Sequence, residues 1–226
     1  MNPELPELKS LSIRDGVANV LRQALLKGQF GAGETLSEVT LSKLMKVSRG
    51  PVREALLVLA QEGLVTHAHN RGFAVLSLGE EDFRKIMQVR VPLESLSLAL
   101  ARGRIGRGEM EDLDACFRRM CNKLEAGDFP GTTREDLRFH ELIWEACGNE
   151  WLVASLKRVL LPFFVFTMTF RQKQSILTPE ILSAQHRMYL DYLRGATAAS
   201  AEDCVRYHLS LYAEAGVPEN VALSSA

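Results

Sequence analysis

Four side chains of this 226-residue sequence, Asp136, His140, His186 and His208, are of the types that hold a transition metal. Asp136 and His140 are four residues apart, so a helix sets both on one face, where they can share a cation. Three imidazoles and one carboxylate suit a borderline divalent ion better than calcium or magnesium. Zinc heads that choice, with nickel and manganese as alternatives. One histidine alone is more often structural than a ligand, and Asp/His pairs at this spacing arise by chance. The signal is the set: the C-terminal part holds these three histidines and no others, all on predicted helices.

Arg49 and Arg53 form a second pair, one turn apart and therefore on one helix face. Val52, Leu56 and Leu59 fall on another face and are expected to pack against Leu41, Leu44 and the first helix. An apolar side that anchors the helix and a cationic first turn that stays free are what entry into a DNA major groove requires. The start of such a helix also offers backbone N–H groups and a positive dipole end to a phosphate. The alternative is that both arginines merely solvate an exposed face. Between residues 43 and 71, Lys43, Lys46, Arg49, Arg53 and Arg71 stand against only Glu54 and Glu62. That local excess matters more for phosphate contact than the whole-chain net charge of -1.

The elements that must position these groups follow from periodicity. Residues 1–11, with Pro3 and Pro6, read as a flexible arm. Val17, Val20, Leu21 and Leu25 recur at helical spacing and predict a helix over 13–27, ended by Gly28. A glycine-rich loop leads to a short helix capped by Ser37, a turn at Lys46-Val47, and a helix over 48–62 that Gly63 stops. Two β-prone runs, 64–66 and 73–76, are joined by His67 to Gly72. Three helices and a small β-hairpin, in that order, make a winged helix-turn-helix over 12–77. The hairpin tip sets His69, Asn70, Arg71 and Gly72 beside the minor groove or the DNA backbone. From Glu80 onward the pattern is helical, with segments near 80–103, 108–126, 133–147, 150–173, 180–195 and 200–215. Pro92 is expected to kink or split the first of these. The second domain, 78–216, is all-α, and 217–226 reads as a flexible tail, so the fold class is mainly α.

Composition is that of an ordinary globular chain: 46% hydrophobic and 24% charged, enough for two modest cores and unlike a disordered segment. Four cysteines without a C-x-x-C pair, and a start with no signal-peptide pattern, predict a cytoplasmic protein with reduced thiols. The longest apolar run, 159–170, is interrupted by Pro162 and too short to span a bilayer, so no membrane partner is expected. Trp144, Trp151 and the stripe Phe163, Phe164, Phe166 and Phe170 read as core.

The runs Gly-Glu-Thr-Leu-Ser-Glu (33–38), Val-Ser-Arg-Gly-Pro-Val-Arg-Glu-Ala-Leu (47–56), Gln-Glu-Gly-Leu-Val (61–65) and Arg-Gly-Phe-Ala-Val (71–75) resemble the winged-helix domain of GntR regulators. The likeness is greatest to the FadR-like branch with an FCD effector domain. It implies that Ser48 and Arg49 contact phosphate and base edges, that Arg53 meets a guanine edge or the backbone, and that the wing tip near His69 and Gly72 touches the minor groove. Gly50 stands where the motif usually has Thr, and Ala32 where Pro usually precedes Gly33; both bear on the operator rather than on the function. Asp-Leu-Arg-Phe-His (136–140), Gln-His-Arg (185–187) and Arg-Tyr-His-Leu (206–209) resemble the FCD domain's ligand stretches. That resemblance implies an antiparallel helical bundle with a central cavity, a metal held by Asp136, His140, His186 and His208, and open positions for a small organic acid. Arg90, in Val-Arg-Val-Pro-Leu-Glu, resembles the family's arginine; it either grips the effector carboxylate or pairs with Glu94 at i+4.

The expectation is a homodimeric repressor, not an enzyme, that binds a palindromic operator in double-stranded DNA through Lys43, Ser48, Arg49, Gly50, Arg53, His69, Arg71 and Gly72. A small carboxylate effector near Arg90 and the metal would control its affinity. Two rivals remain open: a sensor for which the cation itself is the signal, and a metal-dependent hydrolase or lyase. Against the latter, Glu141 follows His140 but helical geometry turns it from the ligand face.

Overall fold

The computed structural model describes residues 13–68, 72–171 and 178–214. In chain order these form α1 (Ile13–Leu26), β1 (Thr35–Leu36), α2 (Glu38–Met45), α3 (Arg49–Gln61), β2 (Val65–Ala68), β3 (Gly72–Val75), α4 (Glu80–Arg102), α5 (Arg107–Glu125), α6 (Phe129–Ala146), α7 (Glu150–Arg171), α8 (Pro179–Leu193) and α9 (Ala201–Glu214). The predicted arm over 1–11, the tail over 217–226 and the wing-tip residues His69 and Arg71 lie outside the described residues. No helix among the described residues is long and apolar enough to cross a membrane.

The N-terminal unit is the expected winged helix, with one strand more than the sequence suggested. β3 pairs antiparallel with β2 on one side, Val65 opposite Val75, and with β1 on the other, Leu36 opposite Phe73. A two-residue strand is too short to carry the alternation that betrays strands in sequence. Val17, Leu21 and Leu25 of α1 meet Val52, Leu56 and Leu59 of α3, with Leu41, Phe73 and Val75 closing the core. Leu44 is not part of it: the inward residues of α2 are Leu41 and, one turn on, Met45, which leaves Leu44 72% exposed. Val20 is likewise exposed, off the stripe of α1 that Val17, Leu21 and Leu25 share.

In the second unit α4 packs on α6, α7 and α9, α5 on α6 and α8, and α8 on α9. Its core runs from Phe83, Met87 and Leu98 through Phe139 and Ile143 to Phe163, Tyr189 and Leu209. Pro92 neither ends nor splits α4; it lies on the helix's exposed side, where a missing N–H bond costs least. α6 begins four residues before the expected start, because Asp128 accepts from Gly131 N and Pro130 fits the first turn. Trp151, read as core, is 80% exposed near the start of α7, whereas Trp144 is buried.

One turn of α7 serves both units. Leu161 and Val165 pack into the winged-helix core, Phe163 into the main helical core, and Leu160 and Phe164 into a third cluster with Trp144 and Leu156. A helix apolar all round is a buried helix, and the domain boundary is what covers it. Gly63, the turn after α3, has φ +77, and a Cβ there would meet Pro162 Cγ at 3.2 Å.

Candidate DNA-reading face and metal centre

The turn between α2 and α3 is set by Lys46, which closes α2 in the left-handed region at φ 54 and returns its N–H to the carbonyls of Ser42 and Lys43. Ser48 then caps α3 in an extended conformation, and its exposed hydroxyl makes no side-chain cap bond. The first N–H groups of α3 and the Ser48 hydroxyl therefore face the same solvent. Arg49 and Arg53 project from that end with side chains 66% and 58% exposed, available to a duplex rather than locked in the fold. Both reach one carboxylate: Glu38, at the start of α2, lies 3.5 Å from Arg49 Nη2 and 3.3 Å from Arg53 Nη1. Glu38 escaped the sequence reading because it stands on another helix and in no local pattern with either arginine. Lys43, Lys46 and Gly50 are exposed, and a Cβ at Gly50 would meet nothing within 4 Å. Gly72 opens β3 at φ +74, a backbone that favours glycine. His67 stacks on Phe73 at 4.4 Å, which fixes the base of the wing.

The four candidate ligands come from three helices. Asp136 and His140 stand one turn apart on α6, His186 on α8 and His208 on α9, each 1% exposed. One donor atom from each lies within 4.8 Å of all the others. His186 Nε2 is 3.0 Å from Asp136 Oδ1, and His140 Nε2 is 3.4 Å from the same oxygen. The rings of His140 and His186 each lie 4.9 Å from that of His208.

Outer groups orient the donors. His186 Nδ1 donates to Leu182 O at 2.8 Å, which turns Nε2 toward Asp136 and the rest of the cluster. His140 Nδ1 faces Glu94 Oε1 at 3.6 Å. Gln185 Nε2 donates to His208 O at 2.9 Å and ties α8 to α9. Burial first, and then the neighbouring His140 and His186, push the His208 imidazole well below its ordinary pKa, toward the neutral form that ligates metal. Three imidazole nitrogens and one carboxylate within this span fit a transition metal with bonds of about 2.0–2.2 Å.

Arg90 is fully buried beside the cluster and does make the i+4 ion pair: Nε to Glu94 Oε2 at 3.0 Å, with its guanidinium 4.8 Å from the Phe163 ring centroid. Glu94 thereby faces both Arg90 and His140; only the first of these contacts follows from local spacing. Tyr189, which stands in no sequence motif, packs edge-on against His140 at 5.5 Å and His208 at 5.2 Å.

Comparison with known proteins matches residues 13–75 to the bacterial regulatory proteins of the gntR family and residues 85–211 to the FCD domain. The HTH-type transcriptional regulator YdhC of Bacillus subtilis (strain 168) is 31% identical over 146 residues, 62% of this chain and 63% of that protein. The HTH-type transcriptional repressor GlaR of Escherichia coli (strain K12) is 29% identical over 203 residues, 84% of this chain and 89% of that protein. Among solved structures, E. coli McbR/YncC has the same fold, with a TM-score of 0.76 at 21% identity over 91% of this chain and 99% of that one.

Proposed function

The chain belongs to the gntR family of bacterial regulatory proteins, in the group with an FCD domain, and from that premise we propose that it is an operator-binding repressor governed by its buried Asp/His cluster. Transcription regulators, not enzymes, are what it resembles. The observation that carries the reading is the pair of outward guanidinium groups on the first two turns of α3, within the segment matched to the family.

Arg49 and Arg53 read base edges in the major groove while Ser48, Lys43, Lys46 and the α3 N-terminus hold phosphates, with Gly50 and Gly72 allowing close approach. His69 and Arg71 extend the contact at the wing. Two copies related by a twofold axis match the two halves of a palindromic site. Asp136, His140, His186 and His208 hold a divalent ion, zinc or alternatively nickel or manganese, which when bound supplies Lewis acidity toward a carboxylate oxygen. Arg90, held by Glu94, sets its guanidinium on the effector side of the cluster.

α7 supports a route from that site to the DNA. Phe164 lies 5.8 Å from the His140 ring, and the next residue, Val165, is buried in the winged-helix core. A ligand that favours one setting of this turn biases the setting of the winged helix by the same free energy. A second reading, with the ion itself as signal, is favoured by the closure of the cluster, whose four side chains are all buried.

The test uses the full chain and duplexes that it selects from a random pool. Metal content and DNA affinity are measured for the wild type and for His186→Ala with His208→Ala. Loss of the ion together with a shift in DNA affinity supports the reading. An ion retained near one per chain in the double variant rejects the ligand set.

A further inference from the structure

A cavity of about 170 Å³ lies between the two domains, walled by Gln23 and Leu26 of α1, Arg134, Leu137 and Glu141 of α6, and Phe164 of α7. None of these is among the four candidate metal ligands. A cavity of about 150 Å³ admits a molecule the size of benzene, so the space suits a small ligand rather than a single water.

Its walls are ordered by charge. Arg134, Leu137 and Glu141 are three and four residues apart and share one face of α6, with the leucine between the two charges. The helix rises about 10.5 Å from Arg134 to Glu141. Leu26 and Phe164 line the same space from α1 and α7. Along α6 the order is therefore cation, apolar strip, anion.

A neighbouring pair shows what this one lacks. Arg138 and Glu145 have the same spacing of seven on the same helix, and they meet at 3.2 Å. Arg134 and Glu141 do not meet. The Arg134 guanidinium is partly buried and makes neither a hydrogen bond nor an ion pair among the described residues. Asp128, which feels its charge, is already held by Lys123 at 2.9 Å. Glu141, 26% exposed, has cations only at the limit of contact, Arg138 at 3.8 Å and Lys157 at 4.0 Å. Partly buried charges without close partners are costly. Water answers either charge, but not the apolar strip between them.

We propose that this cavity binds a short ω-amino acid, whose carboxylate pairs with Arg134, whose ammonium pairs with Glu141, and whose chain of about three to five methylenes lies over Leu26, Leu137 and Phe164. A zwitterion leaves the charge balance of the walls unchanged, whereas a ligand with one charge leaves one wall unanswered. An apolar space with few polar groups, at a domain boundary, is the common form of a small-molecule site. α1 supplies one wall, and the Phe164 ring also lies 5.8 Å from that of His140. Occupancy thus acts on the same turn of α7 that joins the domains, as an input separate from the Asp/His cluster.

Titration calorimetry on the full chain, zinc-loaded and again metal-free, tests this. The probes are 4-aminobutanoate and 6-aminohexanoate, with hexanoate and hexylamine as singly charged controls. At least one amino acid binds roughly tenfold or more tightly than either control, in both metal states. Arg134→Gln lowers that affinity to about the level of hexylamine and leaves hexylamine itself unchanged. Glu141→Gln lowers it to about the level of hexanoate and leaves hexanoate unchanged. Binding of neither amino acid, or of either control as tightly, overturns the proposal. Equal losses for every probe in a variant, the mark of a structural role, overturn it too, and so does binding confined to the zinc-loaded chain, which places the ligand at the cluster. Wild-type protein that holds no zinc defeats the cluster reading alone, and the metal-free titration still decides this one.

Discussion

Phe164 and Val165, adjacent on α7, belong to different domains: the Phe164 ring lies 5.8 Å from that of His140, and the Val165 side chain is wholly buried among residues of the winged helix. Successive residues of a helix point about 100° apart, so a rotation of this one turn moves both surroundings together. Val165→Ala is expected to cost about 1–3 kcal/mol by opening a cavity in the winged-helix core. It should also weaken the coupling. Hydrogen exchange checks this: metal binding protects amides of α1 and α3 in the wild type, and less so in the variant, at equal metal content. Equal protection in both places the coupling elsewhere.

Gly63 tests the same boundary from the other side. Its φ of +77 is strained for an L-residue, and an added Cβ would stand 3.2 Å from Pro162 Cγ. Gly63→Ala should therefore destabilise the protein by about 1–2 kcal/mol from the backbone alone. The urea midpoint would report it; an unchanged midpoint would mean that the α3 turn can relax away from α7.

The Arg90–Glu94 pair is buried, so removing one partner strands the other's charge. Glu94→Ala is expected to cost about 3–5 kcal/mol, whereas Arg90→Met with Glu94→Leu, which removes both charges, should cost far less. Denaturant titration of the three proteins gives the comparison. Equal losses for the single and the double variant would show that the ion pair is not the source.

Acid sensitivity follows from His208, whose folded pKa is depressed well below 6.5 by burial and by His140 and His186. Between the folded value and 6.5 the unfolded chain binds the extra proton. The stabilisation is thus complete above the unfolded value and is lost as pH falls toward the folded one. Metal-free protein should lose stability from about pH 7 to 5, and His208→Gln should flatten part of that slope. Identical slopes would exclude His208 as the sensitive group.

Much of this architecture is legible in the sequence because it is local. Helical periodicity located α1, α3 and α4 to α9 nearly to their ends, and the Asp136/His140 spacing put two donors on one face. His186 and His208 could be grouped with them only by residue type and resemblance, and the fold brings all four donor atoms within 4.8 Å. Non-local relations were not legible. Glu38 meets Arg49 and Arg53 through the α2–α3 packing, Tyr189 reaches His140 across two helices, and α7 is shared with the winged helix; none of these leaves a spacing to find. Leu44 and Trp151 misled for the opposite reason: each is apolar in type, but a packed neighbour, or a helix start, turns it outward.

A repressor of this kind requires Arg49 and Arg53 to engage DNA, and fluorescence anisotropy on a labelled duplex selected by the wild-type chain measures this directly. Arg49→Ala and Arg53→Ala should each weaken binding by about 1–3 kcal/mol, roughly 5- to 150-fold, with an unchanged urea midpoint. Binding curves that superimpose on the wild type for both variants would contradict it.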